Sequence, residues 1–113
     1  MIQDMFNLYV TIEEVTRTPD GQGGQAESWA EYITDLHGRM RKTTAREREE
    51  YMKLEVAADF LFDILPQELD ITENNHRLTF NDGFNDRIFD IVHVDKWNFA
   101  GHHWILALFE QKV

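Results

Sequence analysis

The residues of this chain that could do chemistry are few, and their spacing is informative. Five histidines invite a metal centre. His102 and His103, however, are neighbours whose side chains point to opposite faces of a strand, so the pair cannot easily hold one ion. His93 could join one of them across strands. A zinc site still needs three or four converging ligands, and no spacing here supplies them. Ser28 is the single serine, with no histidine beside it in sequence, which argues against a nucleophile activated by an adjacent base. Asp and Glu number 21, so any pairing of carboxylates as acid and base is uninformative. Asn81, Asp82, Asn85 and Asp86 are turn formers. The reading is no catalytic residue, no metal ligand and no cofactor.

The segment "TRTPDGQGGQAESW", Thr16 to Trp29, is the remaining candidate for a ligand loop. A phosphate cradle needs glycine amides, a helix start and a Lys reaching the phosphates. No such Lys follows Gly24, and a strand pattern comes next. A calcium loop needs oxygen ligands at alternate positions after its first Asp, whereas Asp20 is followed by Gly, Gln, Gly, Gly. What survives is turn chemistry at Pro19-Asp20-Gly21, with Gly23-Gly24 adding freedom. The segment predicts a tip joining two strands, with Trp29 anchoring the returning one.

These features have to be positioned by a small body. A length of 113 residues predicts one domain with one modest core. The chain holds no cysteine, which removes disulfide and thiolate chemistry and fits a reducing interior. The opening "MIQDMFNLYV" lacks the basic start and apolar core of a signal peptide. No apolar run approaches the roughly 20 residues that span a bilayer. The net charge of −10 disfavours gripping a phosphate backbone with the whole surface. It also weighs against reading Trp29, Trp97 and Trp104 as base-stacking platforms, which need a basic groove. A core role suits them better.

The hydropathy pattern is mostly of period two. Phe6, Leu8, Val10 and Ile12 predict a half-buried strand. Tyr32, Leu36 and Met40 predict another, with Asp35, His37, Arg39 and Arg41 outward. Val56, Ala58, Phe60, Phe62 and Ile64 alternate against Asp59 and Asp63. "HRLTF" and "RIFDIVHVDKW" flank an Asp82-Gly83 hairpin turn. "HHWILALFEQ" is apolar on both faces, so it is either central in a closed barrel or covered by a neighbouring subunit. "PQELDITENNH" reads as an irregular connection pinned by Leu69 and Ile71. "TTAREREEYMKLE" predicts a short helix of about 10 residues, opened by a Thr44–Glu47 capping box and tethered by Ala45, Tyr51 or Met52. It is either a solvated surface helix or a segment ordered by a partner. The fold class is mainly β: a small barrel or sandwich of five to six antiparallel strands, one short helix and extended loops. Positive charge concentrates in "HGRMRKTTARER", where Arg39, Arg41, Lys42, Arg46 and Arg48 could form a basic edge on an acidic body. That asymmetry suits self-association or docking to an acidic partner.

The order of these pieces resembles the head–tail joining proteins of long-tailed bacteriophages, also called stoppers or head-completion proteins. The resemblance is carried by Asp20, Gly21, Gly23, Gly24 and Trp29, by Glu47 in "TTARERE", by the Phe89-to-Val94 strand and by the terminal "LALFE". It spans roughly Val10 to Glu110. It implies a structural β-barrel subunit, not an enzyme, assembled with copies of itself into a six- or twelve-fold ring. The ring would lie in the virion neck, assembled in the bacterial cytoplasm, with the portal-bound adaptor above and a tail terminator or tail protein below. DNA would pass through it without sequence-specific binding and be kept from leaking. No membrane or cofactor is implied. The tip Asp20, Gly21, Gln22, Gly23, Gly24 and Gln25 then reads as a partner-docking loop. Thr43 to Glu55 matches a segment that gates the channel in some relatives, so Arg39, Arg41, Lys42, Arg46, Glu47, Arg48 and Glu49 become candidates for a channel or inter-subunit surface. The alternatives are another tail-end or neck module, or a small ligand-binding barrel.

Overall fold

The computed structural model describes residues 8–96 and 103–111. Phe6, Trp97 and His102, named above, lie outside the described residues. Six strands and one helix follow in the order β1 (Leu8–Pro19), β2 (Gln25–Lys42), α1 (Ala45–Lys53), β3 (Phe60–Ile64), β4 (His76–Asn81), β5 (Asp86–Asp95) and β6 (Trp104–Glu110). All neighbours pair antiparallel, and the sheet closes in the order β1-β2-β3-β6-β5-β4. The fold is therefore a closed barrel rather than a sandwich.

The period-two positions turn inward as expected. Val10, Ile12, Leu36, Met40, Phe62, Ile64, Leu78, Phe89, Ile91, Leu106 and Leu108 form one buried cluster. β2 departs from simple alternation at two places. Ile12 and Glu13 of β1 face Ile33 and Glu31, leaving Tyr32 as an extra residue. Asp35 takes φ 54 between the Ile12–Ile33 and Val10–Leu36 pairs. A bulge re-aims the side chains around it, which is why both Tyr32 and Ile33 pack against the core. Gly38 is required by close approach: a Cβ there would stand 2.5 Å from the Phe62 ring and 2.6 Å from the Asp63 carbonyl oxygen.

The doubly apolar β6 lies between β3 and β5. Leu106 and Leu108 fill the barrel, while Ala107 forms a second small cluster with Ala58 and Leu61, covered in part by Tyr51, Val92 and Ile105. The helix thus covers the middle of this outer face through Tyr51, while Phe109 stays exposed. Tyr51 is the tether; Met52 is 65% exposed and Ala45 is exposed. In the irregular stretch after β3, Ile71 is buried and pins the connection, whereas Leu69 remains exposed.

One mouth of the barrel is shut by Arg87. Its guanidinium lies 5.3 to 5.7 Å from the rings of Phe60, Phe80 and Phe89. It also donates to both carboxylate oxygens of Glu110, at 2.8 Å each. This fork-to-carboxylate geometry fixes the cation over the aromatic faces.

Candidate interaction surfaces

Three surface features stand out, and the first two carry the site residues singled out from sequence. The first is the β1–β2 ribbon. The two strands pair from Leu8↔Gly38 out to Pro19↔Gln25. β4 supports β1 only over Thr11–Glu14, and β3 supports β2 only over Arg39–Lys42. Beyond Val15 the ribbon is an arm that stands clear of the barrel, and residues 16–28 are exposed throughout. An isolated two-stranded ribbon is marginal in water, so the arm depends on its root. There Arg77 donates to Glu13 at 2.6 Å and its guanidinium sits 4.3 Å above the Trp29 ring. Arg17 donates to Glu27 at 3.0 Å, to the Asn74 carbonyl at 2.8 Å and to the Asn75 side chain at 3.2 Å. Trp29 is thus an anchor of the arm's root, held by a cation rather than as part of the buried core.

At the arm's end, Asp20 folds the tip on itself. Its Oδ1 accepts from the Gln22 amide at 2.8 Å and the Gly24 amide at 3.1 Å. Gly21 and Gly23 take φ 81 and 84, the left-handed region where glycine carries no penalty. Two amides that a phosphate loop would turn on its ligand are spent on the loop's own carboxylate. Asp20, Gly21, Gln22, Gly23, Gly24 and Gln25 therefore form a shaped, exposed knuckle.

The second feature is α1 with the end of β2. Thr44 caps the helix through both halves of the box: the Glu47 amide donates to Thr44 Oγ1 at 3.2 Å, and the Thr44 amide donates to Glu47 Oε1 at 3.0 Å. Glu47 also receives Arg41 Nη1 at 2.8 and 3.0 Å, and Arg41 Nε reaches Asp63 at 3.5 Å. Buried Thr43 donates its hydroxyl to the Ala58 carbonyl at 3.0 Å. Burial by itself would raise the Glu47 pKa, but the Thr44 amide and the Arg41 guanidinium outweigh it and hold the carboxyl below the usual range. For Arg41, burial opposes the charge while Glu47 and Asp63 more than restore it, so its pKa is raised. The expected basic edge is accordingly broken up. Arg41 is spent on two carboxylates, and Arg46 lies 3.7 Å from Glu50 one helical turn on. Lys42, Arg46, Arg48 and Glu49 are exposed. The helix binds the barrel flank through Tyr51 and the Arg41–Glu47 pair.

The third feature was not foreseen. The β4–β5 turn presents Phe84 to solvent at 91% exposure. The turn is built: Asp82 Oδ1 accepts from the amides of Phe84 and Asn85 at 2.9 and 2.8 Å, and the Gly83 amide donates to Asn81 at 2.7 Å. The Asn85 amide, followed by that of Phe84, holds the Asp82 carboxyl below its ordinary pKa. The turn chemistry of "NDGFND" was legible, whereas the display of Phe84 to solvent follows from the folded turn.

Among the described residues no three His, Asp or Glu side chains converge on a metal position. His93 Nδ1 lies 3.7 Å from Glu73, and His76 Nε2 lies 3.3 Å from Glu14. The cleft bounded by Asp59, Asp82, Asp86, Arg87 and Glu110 has its strongest donor and acceptor already satisfied by each other. Among the described residues no helix is long and apolar enough to cross a membrane.

Comparison with known families matches the description "phage head completion protein" over residues 3–110. No curated protein matches the chain.

Proposed function

The chain belongs to the phage head completion family, and from that premise we propose that it is one subunit of a connector ring at the head–tail junction. The ring joins the portal-bound adaptor to the tail and retains packaged DNA. The family match across nearly the whole chain carries this reading, and the exposed chemistry supports it: an arm with a preformed tip, a helix held on the flank by a half-buried ion pair, and an aromatic on a rigid turn. All three are surfaces for meeting other proteins.

In this reading Asp20–Gln25 is the docking tip, reached by an arm that the barrel itself does not need. The Arg39–Glu49 region lies at an inter-subunit or channel surface. Movement of Thr43–Glu55 as a gate first requires releasing Glu47 from Arg41 and Tyr51 from Ala107 and Leu61. The acidic surface lets DNA pass without being gripped.

A reconstruction of the assembled particle's neck tests the proposal. Density for this barrel, repeated in a closed ring between head and tail, is the expected result. A neck complete without it, or the barrel placed at the far end of the tail, overturns the reading.

A further inference from the structure

We propose that the outer edge of the β2 arm, Gln25–Glu31, takes up an extended, Lys- or Arg-bearing segment of a partner protein by strand addition. This deepens the proposed assembly role and rests on it for the partner's setting. The edge itself follows from topology. One side of Gln25–Glu31 pairs with β1; among the described residues no strand pairs with the other side. Seven residues at about 3.4 Å each give an edge of roughly 24 Å, long enough for a complete added strand.

Native sheets blunt such edges with Pro, Lys, bulges or short length. Here the first irregularity on β2 is the extra residue Tyr32, beyond the segment, and Gln25–Glu31 contains neither Pro nor Lys. The side chains leave the edge open. On one face stand Ala26, Ser28 and Ala30, too small to overhang a neighbour. On the other stand Glu27, Trp29 and Glu31, with Trp29 pinned under Arg77. Main-chain bonds would supply affinity and alternate side chains would supply selectivity.

The charges select the occupant. A second copy offering the same edge antiparallel would bring the Glu27 and Glu31 sets of two acidic chains together, and like charges opposite one another are unfavourable. The other free edge of the arm, Thr16–Pro19, is short and carries a proline. A partner segment with cations at alternate positions meets Glu31, and Glu27 in exchange for or beside its Arg17 bond, without that conflict.

Amide hydrogen exchange on the full chain, with a synthetic peptide of alternating Lys and Val as probe, tests the proposal. The expected result is that every second amide of Gln25–Glu31 slows by about tenfold or more. The effect fades at high ionic strength, and a Glu–Val peptide does not produce it. The double variant Glu27→Lys/Glu31→Lys should reverse the preference. Unchanged exchange along the edge, or equal protection by both peptides, overturns the proposal. So does concentration-dependent protection without peptide, which would assign the edge to a second copy. Absence of the chain from the particle neck would instead overturn the assembly role and leave the peptide result standing.

Discussion

The barrel and the arm share two strands, yet the same β1–β2 pairing is governed by different physics at its two ends. From Leu8 to Ile12 and from Ile33 to Lys42, the strands pack inward on Phe62, Phe89 and Leu106, and β4 and β3 pair with their outer edges over Thr11–Glu14 and Arg39–Lys42. From Thr16 to Ser28 they are exposed on both faces, and what holds them is the Arg17 and Arg77 bonding at the root. Burial makes the barrel cooperative. The arm is a ladder whose opening exposes almost no new apolar surface, so it belongs to the low-stability part of the molecule. A protein that must meet several partners gains from this division: the barrel sets where the arm starts, and the arm adapts where it touches.

The largest effect that would break this contrast is a cavity in the barrel. Phe62→Ala should cost about 3–5 kcal/mol, a large part of a typical total of about 5–15 kcal/mol, read as a fall in the denaturant midpoint with an unchanged slope. Gly38→Ala comes next, at about 1–3 kcal/mol, because the added Cβ meets the Phe62 ring and the Asp63 backbone rather than a mobile side-chain end. A neutral outcome would mean that β2 and β3 can separate, and that the barrel is softer than its packing implies.

The helix lies between the two regimes. Thr44→Ala removes one half of the capping box and should cost about 0.5–2 kcal/mol, with amide exchange faster in α1 before any change in the barrel. Acid titration sharpens this. The folded Glu47 pKa lies below its ordinary 4.5, so its contribution is complete above that value and is lost as the pH falls through the folded pKa. Glu110, held down by the Arg87 fork, behaves in the same sense. Stability should therefore decline as the pH drops below about 4.5, and Glu47→Gln should flatten part of that decline.

The smallest effect on global stability belongs to the arm. Arg17→Ala should move the thermal midpoint by the equivalent of less than about 0.5 kcal/mol, while amides of Thr16–Ser28 exchange several times faster. If Arg17→Ala instead unfolded the whole chain, the arm would be part of the cooperative barrel and the contrast would fail.

Much of this was legible in the residues. Val10, Ile12, Phe60, Phe62, Ile64, Leu106 and Leu108 announced their strands because alternation is a local consequence of the pleat. Thr44 with Glu47 announced the helix start because a cap involves only four successive residues. Asp20 with its glycines announced a tip for the same local reason. The basic run was legible as composition but not in its pairing: Arg41 meets Asp63, which pairing of β3 brings from far along the chain, while Lys42, Arg46 and Arg48 stay exposed. Phe84 was passed over because a turn motif says where the chain bends and nothing about what it displays.

The strand pattern, the turn types, the cap and the surplus of negative charge were determined by the sequence itself, since each depends on residues within a few positions of one another. Closure of β1 on β4, the cover of Ala107 by Tyr51, the cation over Trp29 and the free edge of β2 were decided only in three dimensions. Each joins residues tens of positions apart, and which edges are paired or left open depends on the lengths and registers of all six strands at once.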